Sequence, residues 1–157
     1  MPAKVYLYYE KYNGDLRTMP SYLEDLDIST VKIVNVHPEN STKYHLPTVM
    51  AVIILIDPTS GFPLAIMGGT TVTNMRTGAA GGIAAKYLAR KNSKVVGLVG
   101  AGAQSRTQMM ALFEVYDKLE EIRIWSRHPE TKSGFIEEAV KKYGHRCEFT
   151  DMDNVKE

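Results

Sequence analysis

The sequence is poor in most of the features that would place it in a specialised class. Its single cysteine, Cys147, has no partner for an internal disulfide, and no CxxC or Cys/His pattern with metal spacing is present. Excess charge is missing as well. Lys and Arg number 19 against 18 Asp and Glu, which leaves +1 and gives neither nucleic acid nor an anionic membrane a reason to bind. The longest apolar run, VMAVIILI at 49–56, falls far short of the ~20 residues of a membrane helix. The opening MPAKVYLYYEKYNGD alternates apolar with polar residues and lacks an apolar signal core. No internal repeat or low-complexity segment occurs. What is present, 44% hydrophobic and 24% charged residues over 157 positions, suits a soluble cytoplasmic protein of one ordinary domain or parts of two.

The first third reads as strands and turns. KVYLYY (4–9) is rich in β-formers, NGD (13–15) is a turn signal, and TVKIVNVH (30–37) is a β-branched run stopped by Pro38. VMAVIILI and PLAIMG flank the Pro/Gly turn DPTSGF and predict a hairpin. The period then changes. In RTGAAGGIAAKYLARKN (76–92), Ala79, Ala80, Ile83, Ala84, Tyr87 and Leu88 recur at helical spacing. Gly78, Gly81 and Gly82 each weaken that helix by about 1 kcal/mol relative to alanine, which is tolerated where something packs very close. From Lys94 the pattern is strand (94–99), glycine turn, helix (103–118), strand (122–126), helix (130–143) and a short strand CEFTD. Met109, Leu112, Phe113 and Tyr116 form the inward face of the first helix. This βαβ order predicts a parallel sheet, with a boundary near residue 76.

The turn VVGLVGAGAQSR (95–106) is the most informative stretch. Gly100 can make the sharp bend after a strand, and Gly102 has no Cβ to obstruct an anion. The following helix would offer its N–H groups and positive dipole end to a dinucleotide diphosphate. Ser105 stands where the third small residue of the fingerprint belongs. An ordinary strand-to-helix turn is the competing reading. At the end of the second strand, IWSRHPE carries Ser126 and Arg127 where NAD enzymes place an acid. A carboxylate would repel a 2′-phosphate, whereas a guanidinium pairs with it, so the coenzyme is read as NAD(P) with NADP favoured. A merely solvated Arg127 is the alternative.

Four separated segments, VKIVNVHPEN (31–40), LPTVMAVIILIDPTSGFPLAIM (46–67), RTGAAGGIAAKYLAR (76–90) and GLVGAGAQSRTQ (97–108), together resemble the ornithine cyclodeaminase/μ-crystallin family. That family includes archaeal-type alanine dehydrogenases and ketimine reductases. Its members are about twice this length, so the chain resembles their middle and is expected to be inactive alone. The resemblance implies an α/β fold, in which a β-rich partial substrate-binding and dimerisation domain (1–75) precedes a connector helix and an incomplete Rossmann-type parallel βαβ unit (76–157). It implies a homodimer acting on a small amino, keto or imino acid, with no nucleic acid, membrane or metal involved. Lys32 and Arg76 would hold the substrate carboxylate and act in catalysis, and Lys4 falls where members carry an arginine for the same task. Thr77, Gly100, Gly102, Ala103 and Gln104 would face the coenzyme, and the deaminases' catalytic aspartate belongs to a half not present here. Two departures from the family pattern stand out. Arg17 occupies or adjoins the site of the cyclodeaminase glutamate, and Gly68 in MGGT replaces a carboxylate. The first favours an alanine dehydrogenase or imine reductase over a cyclodeaminase.

The physics of the basic residues bears on the same reading. A guanidinium binds a carboxylate bidentately and fixes the substrate Cα. Arg76 is expected at a helix start, where a cation is unfavourable unless an anion is near. Lys32 lies inside an apolar strand in phase with Val34 and Val36, so its ammonium must meet an anion or reach water. A strand-edge lysine that discourages aggregation is the other reading. His37 is read as packed beside a turn before it is read as a proton donor. His45, His128 and His145 show no triad or metal spacing.

Overall fold

The computed structural model describes residues 2–155, which divide into two compact units between Thr73 and Asn74. The first unit is one antiparallel sheet of strands β1 (Val5–Tyr9), β2 (Gly14–Leu23), β3 (Ile28–Val36), β4 (Val49–Ile56) and β5 (Pro63–Gly68), in sequential order. Its turns follow from local chemistry. Asn13 and Asp27 take left-handed backbone (φ 45° and 49°) at the ends of short 3-10 turns, a conformation that Asn and Asp tolerate better than most residues. The hairpin of β4 and β5 forms as the Pro/Gly turn predicts, with Asp57 accepting hydrogen bonds from the Thr59 amide and the Ser60 hydroxyl. A short helix, α1 (Asn40–Lys43), follows His37-Pro38. Few of this unit's residues are fully enclosed. Val34 is buried, while Val5, Leu7 and Tyr8 of β1 stand exposed.

The second unit carries β6 (Val95–Val99), α3 (Ala103–Val115), β7 (Glu121–Trp125), α4 (Pro129–Tyr143) and β8 (Glu148–Asp151). The strands pair in parallel in the order β6-β7-β8. Ile122 and Ile124 are fully buried and meet Leu98, Met109, Leu112, Phe113, Phe135 and Ala139 in one core. Strand alternation sends Val95 and Val99 to the opposite face, where both are exposed. Met109, Leu112 and Phe113 point inward as their spacing predicts, with Tyr116 packed beside them.

The helix α2 (Thr70–Leu88) corrects one expectation and bears out another. It starts six residues before Arg76, so Arg76 stands in the second turn and the argument from the helix-start dipole does not apply to it. Its apolar stripe is not the packed side. Ile83, Tyr87 and Leu88 are exposed, and Ala79, Ala80 and Ala84 with them. The glycine side packs instead. A Cβ on Gly78 would lie 2.6 Å from the Thr107 carbonyl carbon, and one on Gly82 would lie 2.8 Å from the Ala111 Cβ. Close backbone approach to α3, rather than apolar periodicity, selects the buried face.

Candidate functional site

The glycine turn sits at the carboxyl ends of the parallel strands, where open α/β sheets place their ligands. Gly100 has φ +108°, open to glycine but strained for other residues, and its amide donates to the Trp125 carbonyl at 2.7 Å. The Ser105 hydroxyl closes the bend by donating to the Gly100 carbonyl at 2.7 Å. Gly102 is the N-cap of α3 and supplies no side-chain cap. The first-turn amides of a helix have no intrahelical acceptor, and a Cβ built on Gly102 meets nothing within 4 Å. The bend is therefore an open cradle of amides at the positive end of a 13-residue helix.

A second feature adjoins it. The Gln104 Nε2 donates to the Asn74 Oδ1 at 2.8 Å, while the Gln104 Oε1 is buried with no partner among the described residues. Exchanging the ends of both amides would leave the other Gln104 atom orphaned instead. A buried amide atom without a partner costs ~1–3 kcal/mol, so the site has an unmet hydrogen-bonding demand beside the cradle. One turn further along α3, the Gln108 Nε2 donates to the Thr77 carbonyl at 3.3 Å. Gly100, Gly102, Ala103, Gln104 and Thr77 thus lie in one unit, and an orphaned polar atom beside a sterically open turn fits a dinucleotide. Ser126 and Arg127 follow β7 at the same end of the sheet. The Ser126 hydroxyl accepts a long bond from the His128 amide (3.4 Å), and Arg127 is exposed with no partner among the described residues.

In the first unit, register decides what faces what. Lys32 pairs with Met19 on β2 and Ile53 on β4, and lies half-buried on the face of Val34 and Val36. Two residues along β2 from Met19, Arg17 is on the same face, and Asp15 after it. Arg17 grips Asp15 side-on, Nε to Oδ1 at 2.6 Å and a terminal nitrogen to Oδ2 at 2.8 Å, with its guanidinium 5.4 Å from the Tyr6 ring centre. The hydrogen bonds from Arg17 hold the Asp15 carboxyl below its usual range against a smaller opposing effect of burial. The sequence marks Arg17 only as a departure from the family pattern. Its place on the Lys32 face follows from the β2–β3 register, which the turn at Asp27 sets. Lys4 precedes β1 and is exposed, as is Arg76 on α2. His37 stacks on Tyr9 (5.8 Å between ring centres) and leaves no room for a Cβ on Gly14, in keeping with a packed role.

Comparison with known proteins meets this geometry. The family model described as "Ornithine cyclodeaminase/mu-crystallin family" matches residues 1–152. The chain belongs to the ornithine cyclodeaminase/μ-crystallin family. An alanine dehydrogenase of Archaeoglobus fulgidus is 50% identical over 148 residues, covering 94% of this chain and 42% of that protein. Among solved structures, the Δ1-pyrroline-2-carboxylate reductase of Thermococcus litoralis, in complex with NADH and L-proline, superposes with a TM-score of 0.87 at 47% identity. It covers 97% of this chain and 46% of that one. An archaeal alanine dehydrogenase dimer with bound NAD gives 0.84 at 45% identity, covering 97% and 45%. The chain spans less than half the length of these relatives. For an ornithine cyclodeaminase/μ-crystallin family member the α/β architecture, an antiparallel sheet followed by a parallel three-stranded one, is as expected. At the Gly68 departure, a Cβ would meet open space, so the missing side chain is a chemical difference rather than a steric necessity.

Proposed function

We propose that this chain is a coenzyme-binding part of an NAD(P)-dependent oxidoreductase acting on a small α-amino or α-keto acid, alanine dehydrogenase-like. The observation that carries the reading is the open glycine turn at the end of β6, which leads into α3. The 50% identity to an alanine dehydrogenase supports the choice of substrate. When bound, the coenzyme supplies or accepts the hydride. The chain's own work is positioning. The Gly102 and Ala103 amides and the dipole of α3 bind the diphosphate, Gln104 offers its orphaned amide atom to a polar group of the coenzyme, and Thr77 faces the same ligand. Ser126 and Arg127 read the adenosine ribose, with the exposed guanidinium favouring a 2′-phosphate and hence NADP. Lys32 and Arg76, with Lys4 in a supporting part, hold the substrate carboxylate. A half-buried cation such as Lys32 acts through a lower dielectric than a solvated one, and so polarises the reacting group more strongly.

A homodimer is part of the proposal. The exposed apolar residues of β1 and the dimer formed by an archaeal relative support it. Likeness to the pyrroline-2-carboxylate reductase supports a second reading, reduction of a cyclic imine. The full-length protein is assayed with pyruvate, ammonia and NADH or NADPH, then with Δ1-pyrroline-2-carboxylate, then with ornithine. Coenzyme oxidation with pyruvate and ammonia is expected. Faster turnover of the cyclic imine selects the second reading, and ammonia released from ornithine without net coenzyme consumption overturns both.

A further inference from the structure

We infer that Arg106 is a positioning residue for the diphosphate cradle, gripping the glycine turn from behind. The inference rests on the coenzyme reading above. Arg106 lies in the first turns of α3, where a cation faces the unfavourable end of the helix dipole unless it has acceptors. It has several. One terminal nitrogen donates to the Ala101 carbonyl at 3.2 Å and to the Gly102 carbonyl at 3.3 Å. The Nε donates to the Glu138 carboxylate of α4 at 2.7 Å, and the guanidinium lies 5.1 Å from the ring centre of Phe135, itself a buried core residue. The backbone bond from the Arg106 amide to the Gly102 carbonyl is long, 3.4 Å, so the side chain reinforces a weak first helical turn.

Peptide geometry gives this grip its consequence. In a trans peptide the C=O and N–H point in opposite directions. Holding the Ala101 carbonyl therefore turns the Gly102 N–H away from the guanidinium, and holding the Gly102 carbonyl does the same for the Ala103 N–H. Those two amides are the donors of the cradle. Gly102 is flanked by open space and would otherwise sample many orientations. Arg106, braced on α4 through Glu138 and Phe135, fixes their direction before a ligand arrives, and preorganised donors bind an anion more tightly.

The test measures NADH, NADPH, ADP and adenosine binding to the full-length protein by calorimetry and NMR titration, alongside thermal unfolding. Arg106→Met keeps the aliphatic stem over Phe135 and removes the fork. It is expected to weaken NADH, NADPH and ADP alike by about tenfold, ~1.4 kcal/mol, and to leave adenosine within about twofold. Arg106→Lys keeps the charge but cannot fork across two carbonyls and a carboxylate, so it recovers less than half of that loss on a logarithmic scale. If Arg106→Met does not fold, Arg106→Lys decides alone, with ADP weakened and adenosine unchanged. Unaltered ADP affinity, equal loss for adenosine, or full recovery in Arg106→Lys overturns the inference. An unmodified protein that binds neither NADH nor ADP overturns the coenzyme reading itself.

Discussion

Replacing Gly78 by alanine separates helix propensity from helix packing, because the two predict opposite signs. In an isolated helix Gly→Ala gains about 1 kcal/mol. At position 78 the new methyl would stand 2.6 Å from the Thr107 carbonyl carbon and 2.7 Å from its Cβ, and closer still to the carbonyl oxygen. Backbone cannot rotate aside, so α2 and α3 must separate by roughly an ångström, given ordinary carbon contacts of about 3.5–4.0 Å. Overpacking of this kind costs about 1–3 kcal/mol. Contact with main chain belongs at the upper end, so the net loss is about 2 kcal/mol, or a fall in Tm of about 4–8 °C for a chain of this size. The matched control is Gly134→Ala, on an exposed face of α4 with nothing within 4 Å of its Cβ. There propensity acts alone, and stability should rise by about 1 kcal/mol. Gly81→Ala falls between, since its nearest obstacle is the movable Gln108 side chain, whose bond to the Thr77 carbonyl would break. Urea and thermal denaturation followed by circular dichroism rank the three. A Gly78→Ala protein as stable as Gly134→Ala would refute close packing at this crossing.

Two further outcomes follow from named groups. Arg127→Ala should weaken NADPH by roughly tenfold or more, the loss of one charge-assisted contact, while NADH binding by fluorescence titration stays nearly unchanged. Equal losses for both would remove the 2′-phosphate role. Partial burial pushes the Cys147 thiol above its ordinary range, and the nearby Arg146 only partly opposes this. Burial disfavours the thiolate, so the pH profile of alkylation by iodoacetamide should lie at higher pH in the folded protein than in urea. A folded-state profile at or below the urea profile would contradict the partly buried setting.

The sequence by itself determined the elements whose signal is local. The β4–β5 hairpin is written in DPTSGF, the β6–α3 turn in GAG, and the core of the parallel sheet in the β-branched and apolar phase of 95–99 and 121–125. Such features need only backbone preference and the period of side chains. The bend at the proposed coenzyme cradle was legible for the same reason: Gly100, with φ +108°, meets a local backbone requirement. Tertiary structure decided the rest. The glycines of 76–92 signalled a close approach and take the packed side of α2, but which element approaches, and how closely, is a property of both helices. Arg76 is not at a helix start because α2 reaches back to Thr70, through TTVTN, whose β-branched residues favour a strand locally. Arg17 joined the face of Lys32 only through strand register, and Arg106 gained Glu138 and Phe135 as further partners only through the packing of α4. Register and helix contact link residues far apart in sequence, and a one-residue slip would send each of those side chains elsewhere.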